Sequence, residues 1–213
     1  MKLYYTPNSP YARICRMTAE LAGLTDEIEL DWVKLRTPDN PAIALSPMGR
    51  VPLLTDGDLI LSEARLICAY LDDKGGKART VAAPDDWQAL SSEAEMTSFL
   101  DAMTVWSREM RREEDTKSDF LLEIANEQLR RELTHLDGTL KASGGEPALT
   151  FETISLLTAL GMMRFYKLVP DWRETYPNVA AWSDAYDALP TVASTAPSAD
   201  ALRPLTRPTS QTR

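Results

Sequence analysis

The sequence predicts an α/β first third followed by an all-helical remainder. Three observations predict it. Short apolar runs with strand-like alternation occur only in the first 62 residues. A strong hairpin signal, Asp56-Gly57, separates two of them. Beyond "GGKARTVAAP", apolar residues recur only at three- and four-residue spacing.

In chain order, "KLYYT" reads as a strand. Ser9-Pro10 then reads as a helix entrance, Ser as N-cap and Pro at the first helical position. The helix runs through "YARICRMTAELAG" and ends at Gly23. "EIELDWVKL" alternates as a second strand, and the Pro-rich "RTPDNPAIALSP" has room for one helical turn at most. "RVPLLT" and "DLILS" form the hairpin, and "EARLICAYLDDKGG" is an amphipathic helix ending in glycines. The order is βαβ, hairpin, helix. Residues 1–77 are expected to form the α/β domain and 83–200 the helical one, with helices near 84–113, 118–143, 151–167 and 176–189. Residues 201–213 are Pro-containing and apolar-poor, so a loose tail is expected. The charge run "RREEDTKSD" reads as a solvated helix junction.

Composition limits the function. Of 213 residues, 44% are hydrophobic and 26% charged, as in an ordinary soluble globule. Lys plus Arg is 23 against 32 for Asp plus Glu, a net charge of −9 that repels nucleic acid and anionic lipid. No apolar stretch is long enough to span a bilayer and no cleavable signal is recognisable, so neither membrane insertion nor export is expected. Cys15 and Cys68 lie in separate helical stretches without a CxxC pattern. They read as reduced packing residues in a cytoplasmic setting. His135, the one histidine, argues against a His-rich metal site and a Ser-His-Asp triad. No metal site is expected.

Three short stretches carry possible chemistry. In "SPMGRVPLL", a cis Val51–Pro52 bond would turn the Val51 backbone outward, where it could pair with an extended peptide. An ordinary trans proline at a sheet edge is the alternative. In "LSEARLI", a helix start offers unpaired N–H groups to a carboxylate, and Glu63 offers an acceptor to an ammonium. That combination suits an α-amino acid moiety. The alternative is that Ser62 caps the helix and Glu63 merely complements its dipole. Ser9 can accept a backbone N–H as a cap and still aim its own proton at a ligand, so a thiolate there would be stabilised.

Taken in order ahead of a helical half, these stretches resemble the cytosolic glutathione transferases over nearly the whole chain. "YYTPNSPYAR" looks like the family's first strand and active-site helix start, and "SPMGRVPLLTDGDLILSEARLICAYLD" like its cis-proline, hairpin and glutathione-binding helix. "LTFETISLL" resembles its helical capping-box segment, and "YPNVAAWSDAYDALPTVASTAP" its closing helices. The resemblance implies a thioredoxin-like first domain, a helical second domain and a homodimer. It implies that Ser9 activates the thiol of glutathione, used as co-substrate, for attack on an apolar electrophile or a peroxide. It assigns the Val51 backbone to the cysteinyl unit, Glu63 and the Ala64 N–H to the γ-glutamyl group, and Arg50 to a glutathione carboxylate. Tyr5 and Tyr4 are rival thiol activators, since some classes use tyrosine there. Tyr11, Met103, Trp106 and Met110 are candidates for the wall of a second-substrate pocket, with inter-helical core or dimer contact as the alternative. Arg108, Arg111 and Arg112 are candidates for meeting an acidic co-substrate.

Two positions depart from the family pattern. Ala64 stands where a serine is usual, removing one hydrogen bond to the γ-glutamyl carboxylate. Thr153 stands where the capping box normally has Asp. Ala64 keeps a second reading open, a non-catalytic scaffold or ligand-binding protein with weakened glutathione affinity. A glutathione-dependent lyase or isomerase would use the same thiolate.

Overall fold

The computed structural model describes residues 1–35, 37, 39–140 and 148–199. Its contacts divide the chain into two units, Met1–Val81 together with the stretch from Ser198 on, and Ala82–Pro197.

The first unit is built on a four-stranded mixed sheet in the order β2-β1-β3-β4. β1 (Lys2–Tyr5) pairs parallel with β2 (Glu29–Trp32) and antiparallel with β3 (Leu53–Asp56), which pairs antiparallel with β4 (Leu59–Ser62). The central strands supply the buried Leu3, Leu53 and Leu54. The hairpin closes at Asp56↔Leu59, so its two-residue turn is Gly57-Asp58, one residue later than the sequence signal, with Gly57 at φ +58°. The second strand is shorter than expected at both ends: Thr25–Glu27 forms a 3₁₀ turn before it and Leu35 lies in a turn after it.

α1 (Pro10–Leu21) starts as predicted, with Ser9 as N-cap and proline next. It stops because Gly23 enters the left-handed region at φ +78°. The Gly23 N–H then donates to the Glu20 carbonyl and the Leu24 N–H to that of Ala19, the paired closure of a Schellman motif. α1 packs its buried side, including Ala12, Cys15 and Ala19, against the side of α3 (Ala64–Gly75) carrying Ile67, Cys68 and Leu71. Between them, α2 (Pro41–Leu45) is the single turn the Pro-rich segment allows. Its N-cap, Asn40, accepts from the Ala42 N–H and donates to the Gly49 carbonyl, fixing the approach to Arg50 and Val51. Asp72, buried in α3, accepts from the N–H groups of Thr80 and Val81 at 2.7 and 2.9 Å, which satisfies the carboxylate and closes the unit's last loop.

The described part of the second unit is helical: α4 (Trp87–Glu109), α5 (Asp119–Thr139), α6 (Phe151–Tyr166), α7 (Trp172–Thr175), α8 (Pro177–Asp187) and α9 (Pro190–Ser194). α6 is buried continuously from Ile154 to Met163 and forms the centre, with α4 and α8 packed on it. Thr150 caps α6 by accepting the Thr153 N–H at 3.2 Å, and the two hydroxyls lie 3.1 Å apart. Threonine at 153 thus puts a hydroxyl–hydroxyl contact where the box has a carboxylate. The charge run spans the α4–α5 junction. There the buried Glu109 accepts the Ser118 N–H at 3.0 Å and pairs with Arg112 at 3.3 Å. The short helices α7 and α9 are not visible in the sequence periodicity, because four or five residues cannot display a helical repeat. The expected tail 201–213 and the last residues of the expected helix 118–143 lie outside the described residues.

Candidate active site

Strand register decides which segments meet. Tyr4 pairs with Leu53, and Leu53 pairs with Ser62, so one row crosses three strands. The chain leaves β1 towards Ser9, enters β3 from Arg50-Val51, and leaves β4 into Glu63-Ala64. All three segments therefore emerge at the same end of the sheet. Residues 54 positions apart in the sequence converge there because β3 runs opposite to its neighbours.

At that end, Ser9 is partly exposed at the head of α1. Its Oγ accepts the Ala12 N–H at 3.3 Å, and its own N–H donates to the Thr6 carbonyl at 3.0 Å. The hydroxyl proton is not used by the cap, so a ligand atom placed beyond it meets an O–H donor and the positive end of α1. The Val51–Pro52 bond is cis, the alternative to the ordinary trans proline. Val51 is half-buried and Arg50 is exposed.

Glu63, not Ser62, is the N-cap of α3. Its Oε2 accepts the Leu66 N–H at 3.1 Å. It does so at φ +82°, ψ 127°, a backbone region that side-chain-bearing residues rarely adopt and that costs about 1–3 kcal/mol. The strain turns the chain sharply from β4 into α3 and leaves Glu63 exposed, with Oε1 available to a cation. Ala64 is 3% exposed, with its carbonyl accepting from the Cys15 Sγ at 3.7 Å. A methyl has no polar atom, so at this position only the backbone N–H can serve a carboxylate.

The rivals for thiol activation have partners of their own. The Arg16 guanidinium lies 5.2 Å from the Tyr5 ring centroid. Tyr5, the last residue of β1, is thus engaged by an α1 side chain at the same end of the sheet as Ser9. Lys2 lies over Tyr4. Cys15 is fully enclosed, and burial, reinforced by neighbouring Cys68, pushes its thiol well above the ordinary range. It cannot serve as a nucleophile. Cys68 accepts from the Thr18 hydroxyl at 3.2 Å, and both cysteines are free and buried.

The proposed second-substrate residues divide between the units. Tyr11 is a half-buried α1 residue of the first. Met103, Trp106 and Met110 form one stripe at the end of α4 in the second. Met103 is completely buried, which fits its alternative reading as inter-helical core. Trp106 is partly exposed and Met110 is 43% exposed, so both retain apolar surface. Of the three arginines, Arg111 lies over the Tyr166 ring at 5.3 Å and donates to the Ser107 carbonyl, and Arg112 pairs with Glu109. Arg108 is exposed. His135 is exposed as well. Among the described residues no group of three or more His, Cys, Asp or Glu side chains could hold a metal ion, and no helix is long and apolar enough to cross a membrane.

One residue at this end has no signal in the sequence patterns used above. Asn8 binds the backbone of Ser198 at both ends of its amide, 3.0 Å to the carbonyl and 2.9 Å from the N–H. Ser198 thereby joins the first unit, although sequence periodicity places it with the helical domain. A polar residue before an N-cap reads as loop, and a partner 190 positions away leaves no local trace.

Comparison with known proteins agrees with this architecture. Residues 8–74 match the family "Glutathione S-transferase, N-terminal domain". Glutathione S-transferase Z2 of Arabidopsis thaliana is 37% identical over 75 residues, 35% of this chain and 34% of that protein. A probable glutathione S-transferase, GSTF2, of Oryza sativa is 37% identical over 102 residues, 43% of this chain and 46% of that protein. The chain thus spans a third to a half of the length of these curated relatives. A solved glutathione S-transferase of Methylobacillus flagellatus with glutathione bound superposes with a TM-score of 0.81 at 27% identity, covering 92% of this chain and 99% of that one. The first domain is thus similar to that of glutathione S-transferases, and the thioredoxin-like sheet domain and helical second part have the fold of the solved structures.

Proposed function

We propose that this chain, which shares its fold and first domain with the glutathione S-transferases, is a glutathione transferase in which Ser9 activates the thiol. The observation that carries the proposal is the row Tyr4–Leu53–Ser62, which delivers Ser9, Val51 and Glu63 to one end of the sheet. A γ-linked tripeptide spans those three points with one chemical need at each. Its ammonium meets the exposed Glu63 carboxylate, and its γ-glutamyl carboxylate meets the N–H groups at the head of α3. The Val51 backbone pairs with its cysteinyl unit, and Arg50 supplies a charge for a carboxylate. The sulfur then lies beside Ser9.

The chemistry is thiolate stabilisation. The Ser9 hydroxyl donates to sulfur while its oxygen stays bound to the Ala12 N–H, and the α1 dipole adds to the preference for negative charge. The thiolate attacks an electrophilic carbon, forming the S–C bond as the leaving group departs with its electron pair. Attack on a peroxide instead forms an S–O bond as the O–O bond breaks. The sulfur is oxidised to a sulfenic acid while the peroxide is reduced, and its leaving oxygen departs with the electron pair and takes a proton from water. A homodimer and a cytoplasmic setting belong to the same proposal.

Ser9→Ala is the test. Calorimetry should still detect glutathione at millimolar concentration, while conjugation of a chloronitrobenzene falls on the order of 10²-fold, as for loss of an oxyanion donor. Full activity in Ser9→Ala would move the role to Tyr5 or elsewhere. Ala64 favours a second reading, a scaffold with weakened glutathione affinity. Wild-type protein that fails to bind millimolar glutathione would decide for it.

A further inference from the structure

We propose that Asn8 is a positioning residue for Ser9, locking the serine's turn by clamping the backbone of Ser198; the proposal rests on the thiol-activating role assigned to Ser9 above. Asn8 directly precedes Ser9 within the turn that the Ser9 N–H closes on the Thr6 carbonyl at 3.0 Å. That bond, with the Arg13 N–H donating to the Ser9 carbonyl at 3.0 Å, holds the ends of the four partly exposed residues Thr6 to Ser9. The Asn8 amide adds two more bonds, to the carbonyl and from the N–H of one residue, in the manner of a strand bridge. Among short side chains only asparagine offers a donor and an acceptor side by side for this purpose. Aspartate lacks the donor, and serine cannot reach both groups.

The clamp matters because the Ser9 arrangement has little slack. Its Oγ must accept the Ala12 N–H and direct its proton at sulfur, and the cap bond is already 3.3 Å long. That is beyond the usual N–H···O range, so a small rotation of the turn breaks it. A misplacement of about 1 Å at a reacting group can cost on the order of 10²-fold in rate. Fixing the Asn8 side chain removes that rotation one residue upstream of the hydroxyl.

The test compares wild type, Asn8→Ala and Ser198→Pro, the last removing the N–H half of the clamp while leaving Asn8 in place. In Asn8→Ala, hydrogen exchange at the Ser198 amide should accelerate at least about tenfold. In both variants kcat/KM for glutathione should fall roughly tenfold, and the pH at which the bound thiol is half ionised should rise. A role confined to stability would not move that pH profile. The double variant should be no worse than Asn8→Ala alone, since both remove one interaction. Unchanged Ser198 exchange in Asn8→Ala overturns the clamp. Faster exchange with wild-type kcat/KM and pH profile overturns its role at Ser9. Wild-type protein without glutathione turnover overturns the transferase reading and the positioning role with it, whereas turnover in wild type that both variants retain in full overturns Asn8 alone.

Discussion

Ser9 and Glu63 each cap a helix with one oxygen contact, Ser9 to Ala12 and Glu63 to Leu66. In the proposed function each would have a second interaction with glutathione. Capping orders the side chain before a ligand arrives, so less rotamer freedom is lost on binding. Ala64 breaks this pattern, because a methyl adds nothing to the donors at the head of α3. Restoring the hydroxyl with Ala64→Ser should add one hydrogen bond to a carboxylate, about 1–2 kcal/mol, and tighten glutathione binding on the order of tenfold. Calorimetric titration checks this, and an unchanged Kd would place the γ-glutamyl carboxylate away from α3.

At the scale of elements, stability and pH are linked in opposite directions in the two units. In the first, Asp56 at the end of β3 accepts the Tyr70 hydroxyl at 2.6 Å and pairs with Lys74 at 3.0 Å, fastening the hairpin to α3. The Tyr70 hydrogen bond, then Lys74, holds the Asp56 carboxyl below its ordinary value of 3.8. A depressed carboxyl stabilises the fold above that ordinary value, and the benefit fades as pH falls through the lower, folded one. Asp56→Asn should therefore lower Tm at pH 7 by roughly 1–2 °C, as expected for a solvent-screened pair, with the difference closing in strong acid. Thermal melts across pH measure it.

Glu132 on α5 behaves in the opposite sense. Burial, with a smaller contribution from Glu95, raises its carboxyl above 4.5, while His135 opposes the shift. Its Oε1 is buried without a hydrogen-bond partner. A raised carboxyl favours the folded state while protonated, and that benefit is lost as pH climbs through the folded value. Glu132→Gln should raise Tm by about 1–3 °C at pH 7 and leave it unchanged below about pH 4. A gain that persisted in acid would mean that the charge is not the cause.

For the whole molecule, the two units carry separate cores, one of sheet and paired helices and one around α6. Apolar side chains remain exposed in each. Leu59, Ile60 and Leu66 are 42–52% exposed in the first, and Trp87 and Phe120 are 77% and 69% exposed in the second. The homodimer would cover part of this surface. Light scattering should then return twice the 23.7 kDa of one chain, and a mass of 23.7 kDa at micromolar concentration would contradict it.

Much of this molecule is legible in its sequence because the deciding interactions are local. The Ser9-Pro10 entrance, the stop at Gly23, the hairpin and the four long helices each follow from residues within a few positions of one another. What only the tertiary structure decided involves partners far apart or faces that periodicity cannot rank. Glu63 replaces Ser62 as cap because the turn out of β4 places it at positive φ. Met103, on the same stripe as Trp106, is core because packing decides which part of a stripe is covered. Asn8 meets Ser198 because the backbone at Ser198 comes back to the turn before α1. By itself the sequence determined the strands and the longer helices and the residue types at their ends, but not the short helices α7 and α9. The structure determined which ends meet, since strand register and helix packing are set by contacts that span the chain.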